Sequence, residues 1–292
     1  MNYIVIYNEC LRSKIIYYNF LNNNSDKIKL VVKLPILTKK KNNKTSFYLI
    51  KKVMFGGLAI TYTIYTFLQT FVYLIVSTIF KSNVEYLCKK KKINFIKSET
   101  FPDKSFLKRH ITDFNNKEII FCSTTHILKK KDLNINNIIL NFHEADPNKH
   151  KGANIYYQLA AKRIKTFQTS IMECDEGIDT GRVVLKSKTK KIFGLSVFKI
   201  MLLGYYLQSN LINKIKQLKL KKKYPHIVKN TSGSTYSFPS FALEKEMREK
   251  KIRTFKFIDY LFIVKLSCIK DCKLLYNIIS RKIMKGKHDT LG

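Results

Sequence analysis

The sequence predicts an α/β domain built on an open, mostly parallel sheet with helices on both faces, an apolar helical insertion and a short helical C-terminal extension. Three observations lead there. The chain opens on a β-branched run, Tyr3-Ile4-Val5-Ile6-Tyr7, then shows helical spacing in Leu11, Ile15, Ile16, Phe20 and Leu21, then a second run from Ile28 to Leu34. That order is a βαβ unit, which places its strands parallel with a helix packed across them. Short apolar runs keep recurring between helical stretches as far as Val183-Val184-Leu185. And 45% hydrophobic with 13% aromatic residues over 292 positions is enough to fill a core.

The first turn, Asn8-Glu9-Cys10-Leu11, lacks a glycine-rich phosphate fingerprint, so no dinucleotide is expected. From Val53 to Phe80 no residue is charged, and as one helix this stretch would be about 42 Å long, a membrane-spanning candidate by length. A single crossing would put the strands before and after it on opposite sides of a bilayer. The expectation is therefore a helix or helical pair packed on the domain, or a segment lying in a membrane face beside the basic surface. Beyond the basic run Lys89 to Lys92, strands are expected at Ile93 to Ile96, Glu118 to Cys122 and Ile138 to His143, with a short helix over Lys104 to Phe114. A helix over Ala153 to Lys165, a strand from Phe167 to Cys174 and a strand at Val183 follow. Ile192 to Leu220 reads as an amphipathic helix, Asn230 to Ser234 opens a loop or hairpin, Phe241 to Lys251 is helical, and Phe257 to Ile279 is apolar enough to pack on the core. The division drawn from this is a body over 1–190, with its insertion near 46–82, and an extension over 191–292 with a loop or hairpin near 224–240.

Charge is extreme: 55 Lys and Arg against 20 Asp and Glu give +35. Nucleic acid, an anionic membrane face or a phosphorylated substrate would each suit it, as would a compositional bias towards Lys, Asn and Ile spread over the whole chain. Six cysteines over this length make no disulfide scaffold, and Cys268 and Cys272 lack a second ligand pair, so no structural metal is expected. The start has no basic, apolar signal region, and the expected location is the cytoplasm, peripheral to the membrane if 53–80 touches it.

In an open α/β sheet chemistry gathers at the carboxyl ends of strands, which draws attention to Ser123 to His126 and Asn141 to His143. From Asn141 the chain reads Asn-Phe-His-Glu-Ala-Asp-Pro-Asn-Lys-His-Lys-Gly, then helix, strand, and Asp179-Thr180-Gly181 before the next strand. This block resembles the folate-dependent formyltransferases, the family of methionyl-tRNA, glycinamide ribonucleotide and amino-sugar formyltransferases. Their core carries Asn-x-His, a loop ending in Arg-Gly, a helix and Asp-x-Gly before a strand. Asn141, His143, Lys151-Gly152 and Asp179-Thr180-Gly181 fall on those positions in order. Two features depart from the family pattern: Glu144-Ala145-Asp146-Pro147-Asn148 replaces the usual Pro-Ser-Leu-Leu-Pro, and Lys151 stands for arginine.

The resemblance implies a Rossmann-like fold and transfer of a formyl group from 10-formyltetrahydrofolate to a primary amine, without a metal. It implies Asn141, His143 and Asp179 as catalytic groups. It implies folate contacts from Thr125, His126, Ile127 and Leu128 and from the loop Asp175, Glu176, Gly177 and Ile178, and it puts His150, Lys151 and Gly152 in the acceptor loop. By elimination the amine is that of an amino sugar or sugar nucleotide, because too little chain remains for the second domain of a methionyl-tRNA enzyme. That tRNA enzyme, and a catalytically silent membrane-associated binding protein of this fold, stand as alternatives.

Overall fold

The computed structural model describes residues 1–35, 60–115, 117–124, 128, 130–133, 135, 137–152, 155–175, 179–215, 234–236 and 239–284. Within them the chain forms β1 (Tyr3–Asn8), α1 (Leu11–Asn23), β2 (Ile28–Leu34), α2 (Ile60–Ile79), α3 (Val84–Lys91), β3 (Phe95–Lys97), α4 (Lys104–His110), β4 (Ile119–Ser123), α5 (Lys130–Leu133) and β5 (Ile138–His143). Then come β6 (His150–Gly152), α6 (Ile155–Ala161), β7 (Thr166–Phe167), β8 (Ser170–Glu173), β9 (Val183–Lys186), β10 (Lys190–Lys191), α7 (Val197–Lys214), β11 (Ser234–Tyr236), α8 (Phe241–Glu249), α9 (Phe257–Cys268) and α10 (Cys272–Met284).

Seven strands make one sheet in the order β3-β2-β1-β4-β5-β8-β9. The first five are parallel, with Val5 opposite both Val31 and Phe121, and Phe121 opposite Leu140. β8 and β9 close the far edge antiparallel, Phe142 facing Ile171. β1 is central and buried at every position, which is why it reads as an unbroken apolar run rather than an alternating one. Side-chain alternation splits the core in two. Tyr3, Val5, Tyr7, Phe121, Leu140 and Phe142 face α1, α3 and α7. Ile4, Ile6, Val32, Ile120 and Ile139 face the side covered by α4 and α5.

The fold class is as the sequence predicts, and several boundaries are not. The strand expected over Phe167 to Cys174 is two strands: β7 pairs with β10, and β8 joins the main sheet. The apolar stretch Phe257 to Ile279 packs on the core as expected, in the form of two helices, α9 and α10, that part about Ile269, where Asp271 caps the second by accepting from Leu274 N at 2.6 Å. α7 begins at Val197 on the cap of Ser196, whose hydroxyl accepts from Lys199 N. The insertion appears as α2, while 53–59 lies outside the described residues. β2 and β3, on either side of it in the chain, are paired in one sheet (Val31 with Phe95), so α2 does not by itself carry the chain across a membrane.

From Val197 onward the chain shares a core with the α/β body. α7 packs on α1, α6 and β8, and a third apolar cluster joins Leu11 and Ile15 of α1 to residues of α2 and α6 to α10. Lys14 shows how closely: it is fully buried and donates to the carbonyls of Leu266 at 2.9 Å and Ser267 at 2.8 Å, the orphan acceptors at the end of α9.

Candidate active site

Because side chains alternate along β5, Asn141 and His143 continue the face of Ile139, at the carboxyl end of a strand inside the sheet. Cys174, just after β8, donates its N–H to the Ile139 carbonyl, and Asp179, before β9, reaches His143. Asp179 Oδ2 sits 3.2 Å from His143 Nε2, with the histidine 3% and the aspartate 12% exposed. Two backbone features hold the carboxylate there. Asp179 has φ 53°, a left-handed conformation that Asp tolerates better than most residues, and the same Oδ2 accepts from Gly152 N at 2.8 Å. Gly181 is obligatory, since a Cβ there would lie 1.8 Å from the Glu173 carbonyl oxygen.

The ring is fixed from its other nitrogen. His143 Nδ1 is 3.0 Å from the Ala145 carbonyl and 3.2 Å from the Ala145 amide. Neutral imidazole can accept from that amide and imidazolium can donate to that carbonyl, so the seat accommodates both charge states. Nε2 is buried, and its approach to Asp179 is close but off the N–H axis, so it makes an ion-pair contact without an in-line hydrogen bond. Burial alone would lower the His143 pKa. The close contact and charge of Asp179, the Ala145 backbone and the charge of Glu144 outweigh it, and the net shift is upward. For Asp179 burial raises the pKa, and His143, Gly152 N and Arg12 more than reverse it, leaving a carboxyl below its ordinary value. Each partner thus favours the charged form of the other. Asn141 is half-buried, and its side-chain amide forms no hydrogen bond among the described residues. A buried imidazole Nε2 lacking an in-line partner, a carboxylate behind it and an uncommitted amide on one strand face can stabilise an oxyanion and relay a proton.

The altered loop after His143 is braced throughout. Glu144 accepts from Ile155 N at 3.2 Å at the start of α6 and pairs with Arg12 at 3.6 Å. The Ala145 carbonyl also accepts from Ser170 Oγ at 2.7 Å, and Asp146 accepts from Gln168 at 3.0 Å and Lys186 at 2.9 Å. Sequence reasoning missed the other half of this support. Arg12 of α1 donates to the Phe142 carbonyl at 2.5 Å and to Gln208 at 3.3 Å, and Gln208 of α7 donates to the His143 carbonyl at 3.0 Å. No local signal marks either residue, because their partners lie 130 and 65 positions away.

The residues expected in an acceptor loop, His150, Lys151 and Gly152, form β6, which pairs with β11 and so draws Thr235 and Tyr236 alongside. Lys151 is 4% exposed, and burial together with Lys162 and Lys149 lowers the His150 pKa. Among the candidate folate residues, Leu128 packs half-buried under the sheet, and Asp175 accepts from Thr180 Oγ1 at 2.6 Å, which stiffens the Asp179 turn. Thr125, His126, Ile127, Glu176, Gly177 and Ile178 lie outside the described residues. Burial pushes the Cys122 thiol up to about 11 and holds the Cys174 thiol well above its ordinary value, which favours the neutral thiol at both. No group of three or more His, Cys, Asp or Glu side chains that could hold a metal occurs among the described residues.

No family model matches the chain, and no curated protein matches it by sequence. Solved structures do match. An N-formyltransferase from Helicobacter canadensis, in complex with folinic acid and dTDP-3-aminofucose, superposes over 88% of this chain and 85% of its own with a TM-score of 0.50 at 13% identity. WlaRD, a sugar 3N-formyl transferase solved in the presence of dTDP and 5-N-formyl-THF, gives the same TM-score and identity over 81% of this chain and 70% of its own. This chain has the formyltransferase fold. On that fold the expected order of Asn141, His143 and Asp179 becomes a spatial cluster, with the last two in direct contact.

Proposed function

We propose that this protein transfers a formyl group from 10-formyltetrahydrofolate to a primary amine on a small molecule, an amino sugar or sugar nucleotide. The observation that carries the reading is the buried His143–Asp179 pair at the end of β5, with Asn141 on the same strand face. Support for the donor and acceptor classes comes from the relatives of this fold that hold folinic acid or formyl-THF and dTDP-3-aminofucose or dTDP.

The amine nitrogen attacks the formyl carbon, and the carbonyl electron pair moves onto oxygen. Asn141 donates an amide hydrogen to that oxyanion, and His143, kept charged by Asp179, donates through Nε2. His143 then gives a proton to the folate nitrogen as the carbon–nitrogen bond breaks, and takes one from the newly bonded amine. The products are a formamide and tetrahydrofolate, and the enzyme returns to its starting charge. Gly152, bonded to the carboxylate of Asp179, ties the acceptor loop to the same proton-handling group.

The test is thermal unfolding of the full-length protein with 5-formyltetrahydrofolate as a binding probe, followed by tetrahydrofolate release from 10-formyltetrahydrofolate with a panel of amino-sugar nucleotides. A saturable rise in Tm is expected, since a ligand bound only to the native state stabilises it by about 2.7 kcal/mol at a hundred times its Kd. Turnover with at least one amine that is lost in Asn141→Ala and His143→Gln completes the expectation. No Tm shift in well-folded protein would overturn the donor assignment.

A further inference from the structure

One face of α2 is packed on the domain through Tyr65 and Tyr73, which are 3% and 0% exposed. The opposite face is an apolar stripe in water: Ile64, Phe67, Leu68, Phe71, Ile75 and Ile79 are 37–69% exposed. The stripe runs about 22 Å along the helix. α9 packs beside α2, its Tyr260 and the preceding Phe255 against Tyr65, and it adds Phe257, Ile258 and Leu261, which are 50–78% exposed. An apolar surface continued over two helices is more than the scattered exposed residues of an ordinary surface.

The same face is basic at its edge. Where α9 begins, a cavity of about 190 Å³ is lined by Lys199, Arg253, Lys256 and Lys282, with Asp259 and Ile258. Four cations thus meet one carboxylate, and that carboxylate is engaged by Lys256 N at 2.9 Å and by Lys282 at 3.5 Å. Lys81, Lys265, Lys270 and Lys273 are exposed at the ends of α2 and along α9 and α10. Exposed aromatic and aliphatic groups beside a cation-lined cavity fit a surface that offers hydrocarbon and phosphate together.

We propose that the α2–α9 face is a docking surface for an anionic lipid bilayer, with the cavity at the start of α9 receiving a lipid phosphate. The helices lie in the bilayer face and do not cross it, because β2 and β3 on either side of α2 share one sheet. Charge decides against a second copy of the chain as occupant. An isologous contact through this face would press like-charged edges together in a protein of net charge +35, whereas an anionic headgroup layer neutralises them. The proposal stands apart from formyl transfer, and either can fail without the other.

The experiment is flotation of the full-length protein with vesicles of phosphatidylcholine alone and with about one third phosphatidylglycerol, paired with sedimentation velocity. Binding is expected only with the anionic lipid, weakening with added salt. Phe71→Glu/Ile75→Glu, both at exposed positions and checked for an unchanged Tm, should lower it at least tenfold. Arg253→Gln and Lys256→Gln should each lower it about fivefold, following about 1 kcal/mol per basic residue at such a surface. No flotation with anionic vesicles would overturn the proposal, as would binding unaffected by the double Glu variant. A dimer in sedimentation that Phe71→Glu dissociates would assign the face to a second copy instead, and full vesicle binding by the Gln variants would remove the cavity from it.

Discussion

Replacing Asp179 with asparagine isolates the electrostatic half of the site. Asparagine tolerates the left-handed φ of 53°, and its Oδ1 can still accept from Gly152 N, so the turn is retained while the charge is removed. At 3.2 Å, an effective dielectric of about 20 puts the attraction between the carboxylate and an imidazolium near 5 kcal/mol, before desolvation takes back part of it. Opposite charges at such range each favour the ionised form of the other. Because the folded protein holds His143 above its ordinary 6.5, the variant should titrate lower than wild type, with burial free to push it below 6.5. Nuclear magnetic resonance of labelled imidazoles, with His143→Gln to assign the signal among six histidines, reads this directly. A midpoint unmoved by Asp179→Asn would refute the pairing, whatever happened to turnover.

The same pair sets a pH window for stability. The lowered Asp179 pKa contributes above about 3.8 and is lost as pH falls through its folded value, and the raised His143 pKa contributes below about 6.5 and is lost as pH rises through its own; the difference in urea-unfolding stability between wild type and Asp179→Asn should therefore be largest between those limits. Gly181→Ala should cost about 1–3 kcal/mol in thermal or urea unfolding, because a Cβ at 1.8 Å from the Glu173 carbonyl forces backbone to move, and its activity should fall further than its stability as Asp179 is displaced. Arg12→Met should destabilise by about 1–3 kcal/mol, since it leaves the Phe142 carbonyl and Glu144 short of a partner, and it should lower turnover at a temperature where the protein is fully folded. Tyr73→Phe removes a 2.7 Å hydrogen bond to the buried Glu9, and about 1.5–3 kcal/mol should be lost from global unfolding.

Much of the fold could be read from the sequence because the central strands are written as continuous apolar runs, Tyr3 to Tyr7 and Ile138 to Leu140. The antiparallel edge could not, since β8 and β9 carry the same apolar content whichever way they run. Asn141, His143 and Asp179 were legible as an ordered motif, yet their burial was not: strand ends suggest exposure, whereas His143 is only 3% exposed. Arg12 and Gln208 escaped notice because they act on the backbone of β5, and a bond to a carbonyl leaves no complementary residue type at the far end. Glu144 and Asp146 looked like departures from a pattern and are structural anchors for the loop.

Lys14 carries a consequence for how the molecule is made. Its ammonium sits in an interior completed by the carbonyls of Leu266 and Ser267, 252 and 253 positions later in the chain. A chain growing at about 5–20 residues per second supplies those acceptors on the order of 10–50 s after Lys14 itself. During that interval α1 must keep the charge in water, which holds one face of the helix away from its final packing. The site rests on α1 through Arg12, so its final packing waits on the last helices, and a chain stopped short of residue 266 would carry Asn141, His143 and Asp179 on an α1 not yet seated.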